Sequence, residues 1–371
     1  MSGFRGGAAR LDAALIMRQP WIHSASVDST FILAPAVVAT FVAMAINASG
    51  HATAAVSLWP WAVLVIGIDV AHVYSTVFRT YMDRTARQEL SGWLIATPLA
   101  AWVVGVLIYQ TSVRAFWSVL AYTAVFHFVR QQFGFLMLYS RSGPWARRLD
   151  VFTIYSATLF PLLYWHTHLP RPFVWFMDGD FLSLPGWVWS IAWPFYAATL
   201  FAYVIKELWL IARNRTINVP GNALVLGTAA SWYVGIVVAS GDLVFTLTNV
   251  VAHGIPYVAL TCIFARRRDQ RRGEPRSLFA PRLLPIALGL LVAFAFVEEG
   301  LWDGLVWREH AALFPGFHWL PQIQTSTALS LLIPLLCVPQ ITHYVIDGVI
   351  WRMHAHPEWR RTLFWKGEVA T

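Results

Sequence analysis

The chain contains 371 residues, of which 57% are hydrophobic and only 12% are charged, whereas about 25% of residues are charged in an ordinary soluble domain. Its formal net charge is +8, and the basic residues stand in short stretches between long apolar runs. This pattern is typical of orientation in a membrane and not of a nucleic-acid interface. The composition therefore predicts an all-α, polytopic helical membrane protein without a nucleic-acid partner.

Ten apolar runs of about 20 residues predict transmembrane helices. In chain order they cover residues 30–49, 56–78, 93–109, 116–139, 151–168, 187–212, 222–240, 243–265, 283–297 and 327–350. The connecting segments 169–186 and 298–325 are rich in aromatic residues and proline, and we expect them to form loops over the outer face. Glu298 and Glu299 begin the second of these loops and are expected to be solvated.

Lysine and arginine are distributed unevenly among the connecting loops. Every loop that follows an even-numbered run is basic, with the densest cluster at 266–272, whereas the loops after odd-numbered runs are poor in basic residues. Under the positive-inside rule, this alternation predicts ten spans with both termini in the cytoplasm. We expect one transmembrane domain over residues 1–371, with a basic amphipathic segment at 1–29 and a cytoplasmic tail at 353–371.

Four of the even-numbered runs carry polar side chains of the kinds that bind metals or protons. Such groups are costly inside a membrane and indicate a functional site. Several stand three or four residues apart and so share one helical face. Counted from the basic ends at about 1.5 Å per residue, all lie in the cytoplasmic half of their helices. They are Asp69 with His72, His127, Asn249 with His253, and His343 with Asp347.

These residues predict a metal site shared by four helices. A lone buried histidine is usually a hydrogen-bonded core residue, but four at similar depth favour ligation, with metal-free hydrogen-bond networks as the alternative. The predicted ligands are His72, His127, His253 and His343, joined by Asp69, Asp347 and Asn249 as further ligands or as partners of the imidazoles. Imidazole and carboxylate without thiolate suit iron, zinc or manganese. Iron is favoured, with zinc or a haem held by two of the histidines as alternatives.

Arg130 and Gln131 follow His127 by about one helical turn and are the predicted catalytic side chains. Arg130 could neutralise Asp69 or Asp347, or hold an anionic head group of the substrate. The alternative for this arginine is that its guanidinium extends to the membrane interface.

The phrases at 69–81, 127–139 and 343–348 resemble those of uncharacterised bacterial polytopic membrane proteins. More distantly, the distribution of single histidines over several spans resembles the Brp/Blh family of membrane carotene-cleaving oxygenases. The resemblance implies iron held by His72, His127, His253 and His343, and a multi-pass protein of the bacterial inner membrane. The His-Gly pattern of that family is matched only loosely at His253. The clustered histidine boxes of membrane desaturases and alkane hydroxylases are absent from the sequence.

The leading hypothesis is therefore a metal-dependent oxygenase, hydroxylase or desaturase-like enzyme acting on a lipophilic substrate, such as a fatty acyl chain, isoprenoid or carotenoid. Its expected partners are the substrate, membrane lipids and an electron donor. One alternative is a metal-free acyl- or glycosyltransferase with a buried histidine as its base. Another is a proton-coupled transporter, which predicts two-fold internal symmetry that the sequence does not show.

Overall fold

The structure is a computed structural model that describes residues 19–173, 175–214, 217–274, 277–353 and 355–365. Within these ranges the regular secondary structure is helical, and no strand is present. The predicted N-terminal segment is thus described only from residue 19, and the tail only up to residue 365. Residues 1–18 and 366–371 lie outside the described residues.

The main helices follow the apolar runs closely. They are α1 (Ala25–Ala48), α2 (Leu58–Arg79), the short α3 (Arg84–Glu89), α4 (Ser91–Thr111), α5 (Val113–Tyr139), α6 (Pro144–Thr167), α7 (Trp187–Asn214), α8 (Val219–Val238), α9 (Asp242–Arg271), α10 (Leu284–Trp307), α11 (Ser326–Ile350) and the short α12 (Pro357–Leu363). Between α10 and α11 lies a short 3₁₀ turn at Pro315–Phe317.

Eight of these helices are long and apolar enough to cross a membrane, and they confirm a helical, multi-pass membrane protein. The remaining long helices, α5 and α6, have 27 and 24 residues. They are less apolar because α5 carries polar side chains such as His127 and Gln132 along its buried face. The first half of α6 contains both basic and acidic residues.

The bundle presents large apolar side chains on its outer surface and buries polar side chains among apolar ones in its interior. Large apolar residues such as Leu99 and Leu107 on α4, and Phe201 and Leu208 on α7, are more than half exposed. Exposed apolar surface on this scale is costly in water but expected against lipid. Helix α2 packs against α9, α10 and α11, and α5 packs against α11. The four histidine-bearing helices therefore form the centre of the bundle.

Two of the central helices contain π-helical segments immediately before their histidines. These segments are Ala62–Val70 in α2 and Thr246–Val251 in α9. A π turn holds more residues than an α turn, so it changes the direction in which the following side chains point, and such turns are frequent at functional sites. The two π segments thus set the faces on which His72 and His253 emerge.

The prediction that Glu298 and Glu299 begin a loop is wrong, and so is the solvated position predicted for Glu298. Helix α10 continues to Trp307, and Glu298 is only 4% exposed. Its Oε2 accepts a hydrogen bond of 2.6 Å from the hydroxyl of Tyr74 on α2. A buried carboxyl group needs such a partner, and the partner stands 224 positions away in the sequence.

Helices α2 and α9 both end in basic residues at one end of the bundle, which we call the basic end. An ionic cluster around Asp83 lies there. Asp83 accepts hydrogen bonds from Arg268 at 2.9 Å and from Arg272 at 3.2 Å, and Arg79 lies 4.0 Å away. It also caps α3 by accepting from the backbone N–H of Thr85. Burial alone would raise the pKa of Asp83, but the charges of Arg268, Arg272 and Arg79 outweigh it and hold that pKa below its usual value.

We expect Asp83→Asn to lower the free energy of unfolding by about 2 kcal/mol at neutral pH, because charge-assisted hydrogen bonds to a buried carboxylate are lost. Since the folded-state pKa is lowered, this contribution is present above the unfolded-state value of about 3.9 and disappears as the pH falls below it. Thermal unfolding in detergent should therefore separate the two proteins at pH 7 and bring them together in acid. Glu89→Gln, an exposed carboxylate on the same short helix, is the matched control and should change little.

Candidate metal centre

Four histidines from four different helices form a closed ring in the core of the bundle. His72 of α2, His127 of α5, His253 of α9 and His343 of α11 are each 6% exposed or less. Neighbouring ring centroids around the circuit are 4.7, 4.9, 4.6 and 4.9 Å apart, in the order 72–253, 253–127, 127–343 and 343–72. This predicted set of histidines is therefore brought together in one place.

The nitrogen atoms of this ring suit a single metal ion. One nitrogen from each imidazole can be chosen so that all four lie within 4.8 Å of one another, and the Nε2 atoms of His72 and His253 are 3.0 Å apart. A metal–nitrogen bond of about 2.0–2.1 Å places two ligand nitrogens roughly 3–4 Å apart, depending on the angle between them. The arrangement thus fits an ion after a small contraction.

Several ring nitrogens have no hydrogen-bond partner among the described residues. These are Nδ1 of His72 and His253, and Nε2 of His127 and His343. Buried polar atoms without a partner are rare, and each one indicates an unmet interaction. Each of the four histidines that a metal ion would join therefore has one buried nitrogen without a partner.

A second polar layer lies one helical turn beyond the ring. Each histidine is followed four residues later by a polar side chain, and residues four apart lie on the same helical face. Three of these side chains, Thr76, Tyr257 and Asp347, form one hydrogen-bonded group. The fourth, Gln131 of α5, donates from Nε2 to the backbone carbonyl of His253 at 2.9 Å and so ties α5 to α9 at the level of the ring.

The hydrogen-bonded group is centred on the hydroxyl of Thr76. Its oxygen lies 2.7 Å from Nδ1 of His343, 2.8 Å from the hydroxyl of Tyr257 and 3.3 Å from Oδ1 of Asp347. Tyr257 also donates a short hydrogen bond to the same carboxylate oxygen. Through its other oxygen, Asp347 lies 3.9 Å from Nε2 of His127. The carboxylate thus faces two of the four imidazoles.

The two predicted carboxylates have different positions. Asp347 is 8% exposed and lies within the polar layer, whereas Asp69 is 37% exposed and stands behind His72, with Oδ1 3.8 Å from Nδ1 of that imidazole. The Nε2 of His72 faces His253 on the opposite side. Asp69 is therefore a neighbour of the ligand ring and lies outside it.

The other predicted site residues have separate roles in the fold. Asn249 donates to the backbone carbonyl of Phe245 at 3.1 Å and to Thr248 at 3.1 Å, which supports the π segment of α9. Arg130 is exposed, donates to the hydroxyl of Tyr155 and lies over the ring of Phe133. Of the two predicted catalytic side chains, Gln131 alone touches a residue of the histidine ring through a hydrogen bond in the described structure.

Aromatic side chains cover the ring on its flanks. Phe128 stacks on His253 with a centroid distance of 4.1 Å, and Tyr344 lies 4.9 Å from His127. On the far side of the polar layer, Arg79 is fully buried between the rings of Phe264 at 3.9 Å and Trp359 at 4.4 Å. The site is thus enclosed by apolar surface, and the guanidinium of Arg79 places a positive charge on the side that faces the basic end of the bundle.

Close packing of α2 against α9 depends on Gly254, the residue after His253. A Cβ atom added there would lie 2.9 Å from Cγ2 of Ile68, 3.1 Å from its carbonyl oxygen and 3.6 Å from Cβ of His72. A side chain at this position would therefore push α2 away from α9 and separate His72 from His253.

We expect Gly254→Ala to destabilise the protein by about 1–3 kcal/mol, the usual effect of overpacking, and to weaken metal binding because the 72–253 edge of the ring opens. Gly134→Ala on α5 is the matched control, since nothing lies within 4 Å of its added Cβ. In a helix that change should be neutral or stabilising by up to about 1 kcal/mol. Thermal unfolding and metal titration of both variants would test this, and equal behaviour of the two would contradict it.

Sequence reasoning identified the four histidines of the ring but missed Tyr257 as their neighbour. The available signal was its position, four residues after His253 and thus on the same face of α9. The comparisons with known proteins add no family to this description: no protein-family model, no curated protein and no solved structure matches the chain.

Proposed function

We propose that the protein is a membrane-embedded, iron-dependent enzyme that oxidises a lipophilic substrate. The observation that carries the proposal is the closed ring of four buried imidazoles contributed by four helices. Imidazole without thiolate is the ligand set that suits iron or zinc. Ionisable groups are retained within a membrane bundle at a cost, which favours a functional role over a structural one.

The tight ring favours a single ion over haem. Its neighbouring centroids are 4.6–4.9 Å apart, and four imidazoles at this spacing occupy the space that a porphyrin would need between two axial ligands. Zinc remains the alternative ion for the same donor set.

The residues of the chain would bind, orient and shield the metal. The four imidazoles bind it, the polar layer around Thr76 orients His343, and Phe128 and Tyr344 exclude water from the flanks. When bound, iron would supply activation of molecular oxygen. A water-poor, aromatic-walled site protects reactive species from side reactions and is matched to a substrate that partitions into the membrane.

The distribution of single histidines also supports an oxygenase related in style to the Brp/Blh enzymes, with fatty acyl chains, isoprenoids or carotenoids as the substrate range. We further propose that α5 and α6 cross the membrane with the eight apolar helices. Ten spans would place both termini and the basic end on the cytoplasmic side of a bacterial inner membrane. An electron donor would then reach the site from that side.

A metal-free acyl- or glycosyltransferase is the second candidate. It is favoured by the contact of 2.7 Å between the Thr76 hydroxyl and Nδ1 of His343, with Asp347 adjacent, an arrangement of hydroxyl, imidazole and carboxylate that can support nucleophilic chemistry. It does not account for the other three imidazoles.

Oxygen-isotope labelling tests the proposed function. Purified protein loaded with iron(II) under anaerobic conditions would be mixed with a lipid extract of the host membrane, a reductant and ¹⁸O₂. We expect a lipid product that gains ¹⁸O or loses two hydrogens, dependent on iron and absent from the His343→Ala protein. No such product, or a product that forms equally well after complete metal removal, would contradict the proposal.

A further inference from the structure

Beyond the ligands themselves, we propose that Thr76, Tyr257 and Asp347 form a relay of hydrogen bonds that fixes His343 with its proton on Nδ1. In this state the Nε2 lone pair of His343 is directed at the metal position. The three are positioning residues, and the inference rests on the proposed metal site. The relay gives Tyr257 and Thr76 a role in orienting a ligand, which does not follow from the four histidines alone.

The direction of the relay follows from counting protons. In the proposed relay Asp347 is ionised and can only accept hydrogen bonds, so the hydroxyl of Tyr257 donates its single proton to Oδ1 of Asp347. The hydroxyl of Thr76 also has one proton, and both of its oxygen neighbours, Oδ1 of Asp347 and the hydroxyl oxygen of Tyr257, are acceptors toward it. Thr76 therefore donates to one of these oxygens.

The remaining contact of Thr76 is the one with His343. The threonine oxygen lies 2.7 Å from Nδ1 of His343. Because the threonine proton is already donated to another oxygen, this oxygen can only accept a hydrogen bond from Nδ1. The proton must then be on Nδ1 of His343, which leaves Nε2 unprotonated. In the opposite arrangement, Thr76 would donate to Nδ1 and face two oxygen atoms at 2.8 and 3.3 Å without a proton between them.

The relay singles out His343 among the four ligands. Nε2 of this residue is buried and without a partner in the described structure, as a nitrogen reserved for a metal ion would be. Nδ1 of His72 and of His253 has no hydrogen-bond partner there, and the Nε2 atoms of this pair share a hydrogen bond of 3.0 Å. One imidazole of this pair must therefore carry its proton on Nε2 and release it when a metal binds, whereas His343 is already prepared.

Thr76→Val tests the relay because it keeps the shape of the side chain and removes the hydroxyl. We expect cobalt(II) affinity to fall about tenfold to a hundredfold, the usual effect of removing a partner of a ligand histidine, and the visible cobalt spectrum to change. Thr76→Ser restores the hydroxyl and should recover both. Thr261→Val is the matched control, since Thr261 is fully buried in α9 and its hydroxyl has no partner in the described structure.

A second variant and a second measurement keep the test independent of folding and of metal. Tyr257→Phe should weaken cobalt(II) binding in the same direction as Thr76→Val while retaining its aromatic ring. In metal-free protein labelled with ¹⁵N-histidine, the Nδ1–H signal of His343, assigned by its absence from His343→Ala, should be lost in Thr76→Val and kept in Thr76→Ser.

Wild-type cobalt(II) affinity in both Thr76→Val and Tyr257→Phe would overturn the relay and leave the metal site standing. An Nε2–H state of His343 in the wild type would overturn it as well. Failure of the wild type to bind any metal would instead overturn the proposed function, and the nitrogen shifts would still decide the proton position on His343.

Discussion

Replacement of any one of His72, His127, His253 or His343 by alanine should abolish stoichiometric metal binding. Removing a mere partner of a ligand histidine costs roughly 10–100-fold in affinity, so we expect the loss of a ligand to exceed about 100-fold. The four imidazoles come from separate helices, and each one contacts two others in the closed ring. No imidazole can therefore be lost without opening the ring.

The same variants should separate metal binding from folding. A metal present at 100 times its dissociation constant adds about 2.7 kcal/mol to the stability of the folded state. The wild type should therefore unfold at a higher temperature with metal than without it, and the His→Ala variants should show no such rise. His51→Ala is the control, because His51 is exposed and contacts the hydroxyl of Ser49. A normal metal-dependent rise in any of the four ring variants would contradict a four-ligand site.

The second large effect should come from Asp347, and it should exceed that of Asp69. Asp347 is 8% exposed, accepts from Tyr257 and Thr76, and faces the imidazoles of His127 and His343. We expect Asp347→Asn to lower metal affinity about 10–100-fold, since the neutral amide removes the negative charge that faces two of the ligand imidazoles.

Asp69→Asn provides the internal comparison because the same chemical change is made beside another ligand. Asp69 is 37% exposed and lies 3.8 Å from His72, too far for a hydrogen bond. Its substitution should change affinity by less than about threefold, because no hydrogen bond links this carboxylate to the ligand ring. Isothermal titration with iron(II) or cobalt(II) would measure both. Equal losses in the two variants would show that the two carboxylates have equivalent roles, contrary to the geometry.

The helical membrane class and the four clustered histidines were predictable because both depend on local patterns. Apolar runs of bilayer length specify membrane helices, and the cost of burying imidazoles in such runs indicates that the histidines face inward. The helices α2, α5, α9 and α11 were each identified by the histidine they carry. The layer containing Thr76, Tyr257 and Asp347 was also accessible, since each lies one α-helical turn after a ligand.

Other features depend on contacts between distant parts of the chain and could not be predicted. The partner of Glu298 is Tyr74 on another helix, and the apolar pattern ended the ninth span before that carboxylate. Asp69 and Asp347 have similar sequence surroundings, each near a histidine at helical spacing. Only the packing of α2 against α9 and α11 makes Asp347 a buried acceptor and leaves Asp69 partly exposed. The exposed position of Arg130 likewise follows from how α5 is rotated in the bundle.

The most direct test of the central claim is the metal content of the purified protein. The protein would be loaded with iron(II) and, in parallel, with zinc(II) and manganese(II), and free metal would then be removed. Elemental analysis should find one tightly bound ion for each wild-type chain. The His343→Ala protein, shown to be folded by its unfolding transition, should retain none. A wild-type protein that holds none of the three metals, or a His343→Ala protein that holds as much as the wild type, would contradict a metal centre at the four-histidine ring.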